Sequence, residues 1–79
     1  MAKLATIRNI IIKVYGDDHL PPHFHIIGTD FQALVEISTM TILAGNLPSS
    51  GRDAMDWSVA NKNLIAAEWN RINPRFPIA

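Results

Sequence analysis

The chain has 79 residues and no cysteine, and its seven basic and seven acidic side chains give a formal net charge of zero. A chain of this length forms one small domain, assigned to residues 1–79, and cannot build a deep, fully enclosed active site. The lack of cysteine excludes disulfides, thiolate zinc sites and cysteine nucleophiles. The neutral balance argues against binding of nucleic acid by bulk neutralisation of phosphates.

The N-terminal segment has no feature of a signal peptide or a membrane span. Its apolar run begins after Lys3, is interrupted by Arg8 and Asn9, and ends at Lys13. That pattern is too short for a span and lacks the apolar centre of a signal peptide. We therefore expect a cytoplasmic protein that does not enter a membrane.

The first predicted element is a strand over residues 5–15. This stretch is rich in isoleucine and valine, and residues 10–12 are β-branched throughout. Such a composition favours a strand covered on both faces over a helix. Gly16-Asp17-Asp18 then predicts a turn.

A hairpin is predicted next, because the pattern alternates on both sides of Gly28-Thr29. A tight turn there sets Ile26 opposite Phe31 and His25 opposite Gln32, so the apolar faces of the two strands coincide. His23 and His25 then share the less apolar face, since side chains two apart point the same way.

The C-terminal half predicts one more short strand and one long helix. Thr41-Ile42-Leu43-Ala44 can pair as a strand, and from about Ser50 or Asp53 to Ile72 there is no proline. A broad apolar stripe at helical spacing runs through this stretch: Ala54, Trp57, Ala60, Leu64, Ile65, Trp69 and Ile72. We predict an α+β fold with a small antiparallel sheet of three or four strands packed against one principal C-terminal helix. The apolar tail should dock on the sheet or on another chain.

The chemistry of this chain is concentrated in the segment Asp17-Asp18-His19-Leu20-Pro21-Pro22-His23-Phe24-His25. It holds every histidine of the chain. Histidine is the side chain that most readily serves as acid, base or metal ligand near neutral pH. This segment is therefore the candidate site.

The same segment, together with Gly45-x-Leu47-Pro48 and a helix that bears Trp57 and Trp69, resembles a bacterial family of small proteins catalogued as a domain of unknown function. The resemblance covers nearly the whole chain. It implies a gene beside that of a second small protein, similar to a toxin–antitoxin pair, with this domain in the toxin-like position. A companion, antitoxin-like protein is therefore the expected partner.

One hypothesis for the site is acid–base catalysis on RNA or a nucleotide phosphodiester, as in a metal-independent ribonuclease or phosphodiesterase. His23 and His25 would act as acid and base, supported by His19 and Asp18. Two imidazoles on one strand face stand roughly 6 to 7 Å apart at their Cα atoms, near enough to reach both sides of a phosphate. This chemistry requires no cofactor.

The substrate in that hypothesis would contact a small set of further side chains. Arg8 or Lys13 would stabilise the negative charge that develops on the phosphate. Tyr15 is a secondary candidate, because its strand would bring it to the histidines if it lies beside the hairpin.

A second hypothesis makes the same residues ligands of a divalent metal such as zinc. A His-x-His pair on a strand can direct two imidazoles to one ion, and His19 and Glu36 could complete the set with His23 and His25. Nothing in the spacing selects the metal.

Two further interpretations involve neither catalysis nor metal binding. In the simplest, the histidines only satisfy backbone groups beside a loop stiffened by Pro21 and Pro22. In the other, the domain is an interaction module whose histidine face or sheet edge binds the companion protein by strand addition or by taking a helix into a groove. Composition leaves a homo-oligomer open, and whether the chain is an enzyme remains open at this point.

Overall fold

The computed structural model describes residues 2–16 and 20–78. Within them lie five strands, β1 Ala2–Ile7, β2 Ile10–Val14, β3 His23–Ile27, β4 Gln32–Glu36 and β5 Ile42–Gly45. They form one antiparallel sheet in chain order. A single 3₁₀ turn, Ser49–Gly51, leads into two helices, α1 Arg52–Ala60 and α2 Lys62–Ile72. The predicted α+β class is confirmed, but the predictions of three or four strands and of one principal helix are wrong in number.

The additional strand arises where residues 5–15 were predicted to be continuous. Arg8 and Asn9 have φ values of 51° and 66° and form a two-residue turn between β1 and β2. Positive φ at both central residues gives the turn a twist that matches the flanking strands. Asparagine tolerates this conformation and arginine rarely adopts it, so the sequence signal for the turn was weak.

The β3–β4 hairpin is offset by two residues from the predicted pairing. Ile26 faces Ala33, and His25 faces Leu34. The Gly28 N–H donates to the carbonyl of Phe31 at 2.9 Å, so Thr29 and Asp30 form the loop. A slip of two residues leaves every side chain on its original face, so the prediction that the apolar faces coincide still holds.

The predicted helix over residues 50–72 is broken at Asn61. This residue has φ −115° and ψ 29°, outside the helical region, and its side-chain N–H donates to the Trp57 carbonyl at 2.8 Å. An asparagine that bonds to the preceding turn competes with continuation of the helix. The break allows α1 and α2 to take different directions over the sheet.

Three polar contacts fix where the helices lie. An ion pair between Arg8 and Asp53 of 2.8 Å holds the start of α1 near the β1–β2 turn. Lys62 donates to the Ser38 carbonyl at 2.7 Å, which ties the start of α2 to the β4–β5 turn. At the other end of α2, Asn73 donates to the Tyr15 carbonyl at 3.0 Å. Helix α2 therefore extends from the β4–β5 turn to the end of β2.

The core lies between the sheet and these helices. Its buried members are Ile10, Ile12, Val14, Phe24, Ile26, Val35, Ile37, Ala54, Ile65 and Trp69. Of the predicted helical stripe, Ala60 and Leu64 are exposed instead, because the break turns them away from the sheet. No helix in the described part of the chain is long and apolar enough to cross a membrane.

Candidate functional site

The histidines of β3 lie in a cluster of rings at one end of the sheet. His23 and His25 are 4% and 9% exposed, and their ring centroids are 5.1 Å apart. The Tyr15 ring, just after β2, stands edge-on to His25 at 4.5 Å. The Trp69 indole of α2 lies 5.9 Å from the His23 ring. We call Tyr15, His23, His25 and Trp69 the ring cluster.

Strand alternation explains how the sequence builds this cluster. Phe24 and Ile26 take the core face of β3, so the flanking histidines point to the other face. On β2, Lys13 is the register partner of His25, and Tyr15 follows two residues later on the same face. The contact between the two rings is consistent with the predicted shared face, and both histidines are buried there.

The hydrogen bond of His23 fixes the position of its ring proton. His23 Nδ1 lies 2.9 Å from the Pro21 carbonyl oxygen. A carbonyl only accepts, so Nδ1 must donate. In the neutral imidazole, Nε2 of His23 is then the basic nitrogen, and this atom is shielded from solvent.

His25 has the opposite arrangement. Its Nδ1 lies 3.2 Å from the side-chain nitrogen of Gln32. With the Gln32 amide in this orientation, its N–H donates to Nδ1 of His25, and a neutral His25 then has its proton on Nε2. In that arrangement the two neutral imidazoles hold opposite tautomers, with Nε2 as a base on His23 and as an acid on His25.

Residues far apart in sequence hold the cluster in place. Asn73 is 4% exposed and donates to the Tyr15 carbonyl. Trp69 is fully buried, and its indole N–H donates to the Phe76 carbonyl at 2.8 Å. Asn73 was not predicted to be part of the site, although an asparagine that directly follows a helix and precedes proline commonly caps the turn.

The structure brings together some of the predicted site residues and separates others. Lys13 is half-buried on the strand beside His25. Glu36 is the register partner of His23, but its carboxylate accepts a hydrogen bond from Thr39 at 3.2 Å. Arg8 lies at the opposite end of β2 from Tyr15, paired with Asp53. The predicted His19 and Asp18 lie outside the described residues.

The predicted metal site involves residues inside and outside the described ranges. Residues 2–16 and 20–78 hold no group of three or more His, Asp or Glu side chains placed to bind one metal ion. Because His19 was one of the four predicted ligands, the full set stays a prediction.

A cavity of about 370 Å³ lies at the C-terminal tail and not at the histidines. It is lined by Asn73, Pro74, Arg75 and Phe76. Asn73 links the two places, because its side chain also bonds to Tyr15. The tail and the ring cluster are thus neighbours around the end of α2.

Comparison with known proteins gives one match. The family model described as a domain of unknown function, DUF4160, matches residues 9–70. That range contains the whole ring cluster and excludes the residues after Asn70. No curated protein and no solved structure matches the chain.

Proposed function

The chain belongs to the DUF4160 family, and we propose that it is the toxin-like component of a bacterial two-protein pair whose histidines act on RNA or nucleotide phosphodiesters. The two-protein setting is suggested by the sequence resemblance described above. The chemistry is supported by a different observation, the contact of two imidazoles whose Nδ1 atoms have different partners, the Pro21 carbonyl for His23 and the Gln32 amide for His25.

Opposite tautomers are what acid–base cleavage of a phosphodiester needs at its start. His23 Nε2 would take the proton of the attacking ribose 2′-hydroxyl as its oxygen bonds to phosphorus. His25 Nε2–H would give its proton to the leaving 5′-oxygen as the old P–O bond breaks. With ring centroids 5.1 Å apart, one phosphate can contact both imidazoles. Before the next cycle, water must take up the proton that His23 gained and return a proton to His25.

The charges near the cluster favour a small target. Lys13, on the strand beside His25, supplies a cationic side chain that can stabilise the phosphate as it gains charge. The zero net charge of the chain argues against extended contact with a long nucleic acid. A single linkage or a nucleotide is therefore the preferred substrate.

Burial sets a condition on this proposal. His23 and His25 are so little exposed that a phosphodiester reaches their Nε2 atoms only if the cluster opens. Acylation of histidines by diethyl pyrocarbonate, followed by mass spectrometry, measures that opening. We expect modification at both positions in the folded protein, and a complete lack of modification would contradict catalysis at this site.

The primary experiment is growth after controlled expression of the wild-type chain, His23→Asn and His25→Asn. Asparagine keeps a polar group near the position of Nδ1, so it can retain the bond to Pro21 or Gln32 while it removes Nε2. We expect the wild type to inhibit growth and both variants to be inactive at equal abundance with an unchanged circular dichroism spectrum. Growth inhibition that survives in both folded variants would rule out the histidine mechanism. A wild type that does not inhibit growth would rule out the toxin-like role.

A sharper experiment changes the tautomer and leaves both histidines in place. In Gln32→Glu the new carboxylate accepts a hydrogen bond from Nδ1–H of His25, so in the neutral ring the proton sits on Nδ1 and no longer on Nε2. We expect RNA cleavage by the purified variant to fall as far as in His25→Asn. Gln32→Ala imposes no tautomer and should retain more activity. Equal activity in Gln32→Glu, His25→Asn and Gln32→Ala would contradict the assignment of His25 as the acid.

A second candidate is a non-enzymatic interaction module, favoured by the outer strand β5. All of β5 is exposed, and Ile42 and Leu43 are 46% and 43% exposed. No charged residue occurs between Glu36 and Arg52, so this edge lacks the lysines that commonly prevent strand addition. If the companion protein binds the wild type and both histidine variants equally, and none inhibits growth, this function replaces the catalytic one.

A third candidate is binding of a divalent ion such as zinc. The bond from His23 Nδ1 to the Pro21 carbonyl is of the kind that orients metal-bound imidazoles. His25 could join through its Nε2 if its Nδ1 carries the proton, with the Gln32 amide presenting its oxygen to Nδ1. Calorimetric titration with zinc, repeated on His23→Asn, would show stoichiometric binding lost in the variant if this candidate is correct.

A further inference from the structure

The C-terminal tail folds back on α2 and is held through its main chain. We call Phe76-Pro77-Ile78 the tail segment. Trp69 Nε1 donates to the Phe76 carbonyl at 2.8 Å. The Asn70 amide donates to the Ile78 carbonyl at 3.1 Å and accepts from the Ile78 N–H at 2.6 Å.

This bonding pattern recognises an extended backbone and not a particular side chain. Asn70 engages both the N–H and the C=O of one residue, as a neighbouring β-strand does in an antiparallel ladder. Pro77, between the two bonded residues, has no N–H and so leaves no donor without a partner. Proline also biases Phe76 towards an extended conformation, which lowers the entropy lost on binding.

The side chains of the tail segment define what a ligand must provide. Ile78 is half-buried and packs against the hydrophobic core. Phe76 is 48% exposed, so its side chain is less restricted. The site therefore fits an extended segment with an aliphatic residue at the position of Ile78 and a proline before it.

The family model matches the residues that hold the tail segment but not the tail segment itself. Trp69 and Asn70 lie inside the matched residues 9–70, whereas the tail segment lies outside them. The family model therefore covers the two hydrogen-bonding side chains but not the segment that they hold.

We propose that Trp69 and Asn70 form a peptide-binding site that the chain's own tail fills, and that a partner protein binds by displacing the tail with an extended, proline-containing apolar segment. The tail competes at the millimolar effective concentration typical of a short tether. The site also touches the ring cluster, because Trp69 lies 5.9 Å from His23. The proposal goes beyond the phosphodiester chemistry and does not depend on it.

The test uses the full chain and a fluorescent peptide with the sequence of residues 73–79. Ile78→Ala removes the side chain that anchors the tail, so it should open the site to the peptide. We expect the peptide to bind Ile78→Ala at least about tenfold more tightly than the wild type, because the competing tail is weakened. Fluorescence anisotropy measures both affinities.

A second substitution locates the binding. Asn70→Ala in the Ile78→Ala background should abolish the gain, and Asn63→Ala, an exposed asparagine on the same helix, should leave it unchanged. If Asn70→Ala does not fold, Asn70→Asp serves instead, because it keeps the acceptor for the N–H and loses the donor for the carbonyl. Its affinity should be intermediate.

Two results would overturn the proposal. One is no peptide binding to Ile78→Ala up to about 1 mM, the scale at which the tail itself competes. The other is a gain that survives replacement of Asn70, since the peptide would then bind elsewhere. Peptide binding is measured by anisotropy on the Ile78 and Asn70 variants and the histidine chemistry by growth inhibition, so failure of this site and failure of the histidine chemistry are distinguishable.

Discussion

The two ends of the sheet contact the helices in different ways. The end with the Arg8-Asn9 and Thr29-Asp30 turns meets α1 through the Arg8–Asp53 ion pair, whose side chains are 79% and 52% exposed. We call it the turn end. The other end, called the histidine end, contains the ring cluster and Asn73, and His23, Trp69 and Asn73 bond there to main-chain groups in buried or half-buried places.

This contrast shows where polar groups affect stability. In an exposed ion pair, each charged group exchanges contacts with water for contacts with its partner, so the net gain in stability is small. A buried donor or acceptor has no water to replace a lost partner, so its removal leaves an uncompensated group. Loss of a buried polar bond at the histidine end should therefore change both folding and function, and loss of the exposed Arg8–Asp53 pair should change neither by much.

The largest effect is expected from Trp69→Ala. The indole is fully buried at the histidine end and donates to the Phe76 carbonyl. Removal of such a ring from a core costs about 3–5 kcal/mol of unfolding free energy. Urea denaturation followed by circular dichroism measures the loss. Trp57→Ala, at a half-buried position on α1, should lose clearly less, and an equal loss would contradict the special status of the histidine end.

Asn73→Ala should come next. Its amide makes a bond to the Tyr15 carbonyl from a residue that is 4% exposed. An acceptor left without its donor in that place lowers the unfolding free energy by about 1–3 kcal/mol. Asn63→Ala, an exposed substitution of the same type, should stay within about 0.5 kcal/mol of the wild type. Equal stabilities for the two variants would show that the buried bond has no net value.

Arg8→Gln tests the turn end. The variant removes the charge that pairs with Asp53 and keeps a polar side chain at a position of positive φ. The expected loss of unfolding free energy is at most about 1 kcal/mol and should shrink further at 1 M salt. A loss as large as that of Asn73→Ala would erase the difference between the two ends.

Glu68→Gln should give the smallest effect and sharpens the comparison within α2. Arg71 donates hydrogen bonds of 2.8 and 2.7 Å to the Glu68 carboxylate and holds the pKa of that carboxyl below its usual value. A lowered pKa in the folded state stabilises the fold above the unfolded pKa of about 4.3, and this contribution disappears as the pH falls through the folded value. Wild type and variant should thus differ slightly at pH 7 and converge in acid. A difference that persists at pH 2 would mean that packing, and not charge, is responsible.

The features of the fold that depend on side-chain period were predictable from sequence. Phe24 and Ile26 were placed on one face of a strand, and both are buried in the core. That prediction survived the wrong hairpin register, because a slip of two residues preserves every face. Trp69 was predicted to be a core residue, and this is confirmed.

The features that depend on small differences between local conformations were not predictable. Arg8-Asn9 forms a turn inside a run that composition alone assigns to one strand, and Asn61 breaks a run that periodicity assigns to one helix. In both places the conformation of one or two residues, positive φ at Arg8-Asn9 and a side-chain bond from Asn61 to the Trp57 carbonyl, interrupts a run whose composition or period is otherwise regular.

The sequence alone determined that all histidines fall in one segment and that His23 and His25 share a strand face. Only the tertiary structure decided that both rings are buried and that their Nδ1 atoms meet different partners, the Pro21 carbonyl and the Gln32 amide. The reason is that a ring proton is placed by its hydrogen-bonding partner. For His25 that partner comes from β4. Trp69 contacts the His23 ring and Asn73 bonds to the Tyr15 carbonyl, and both lie about fifty residues farther along the chain. Their positions depend on how α2 packs across the sheet.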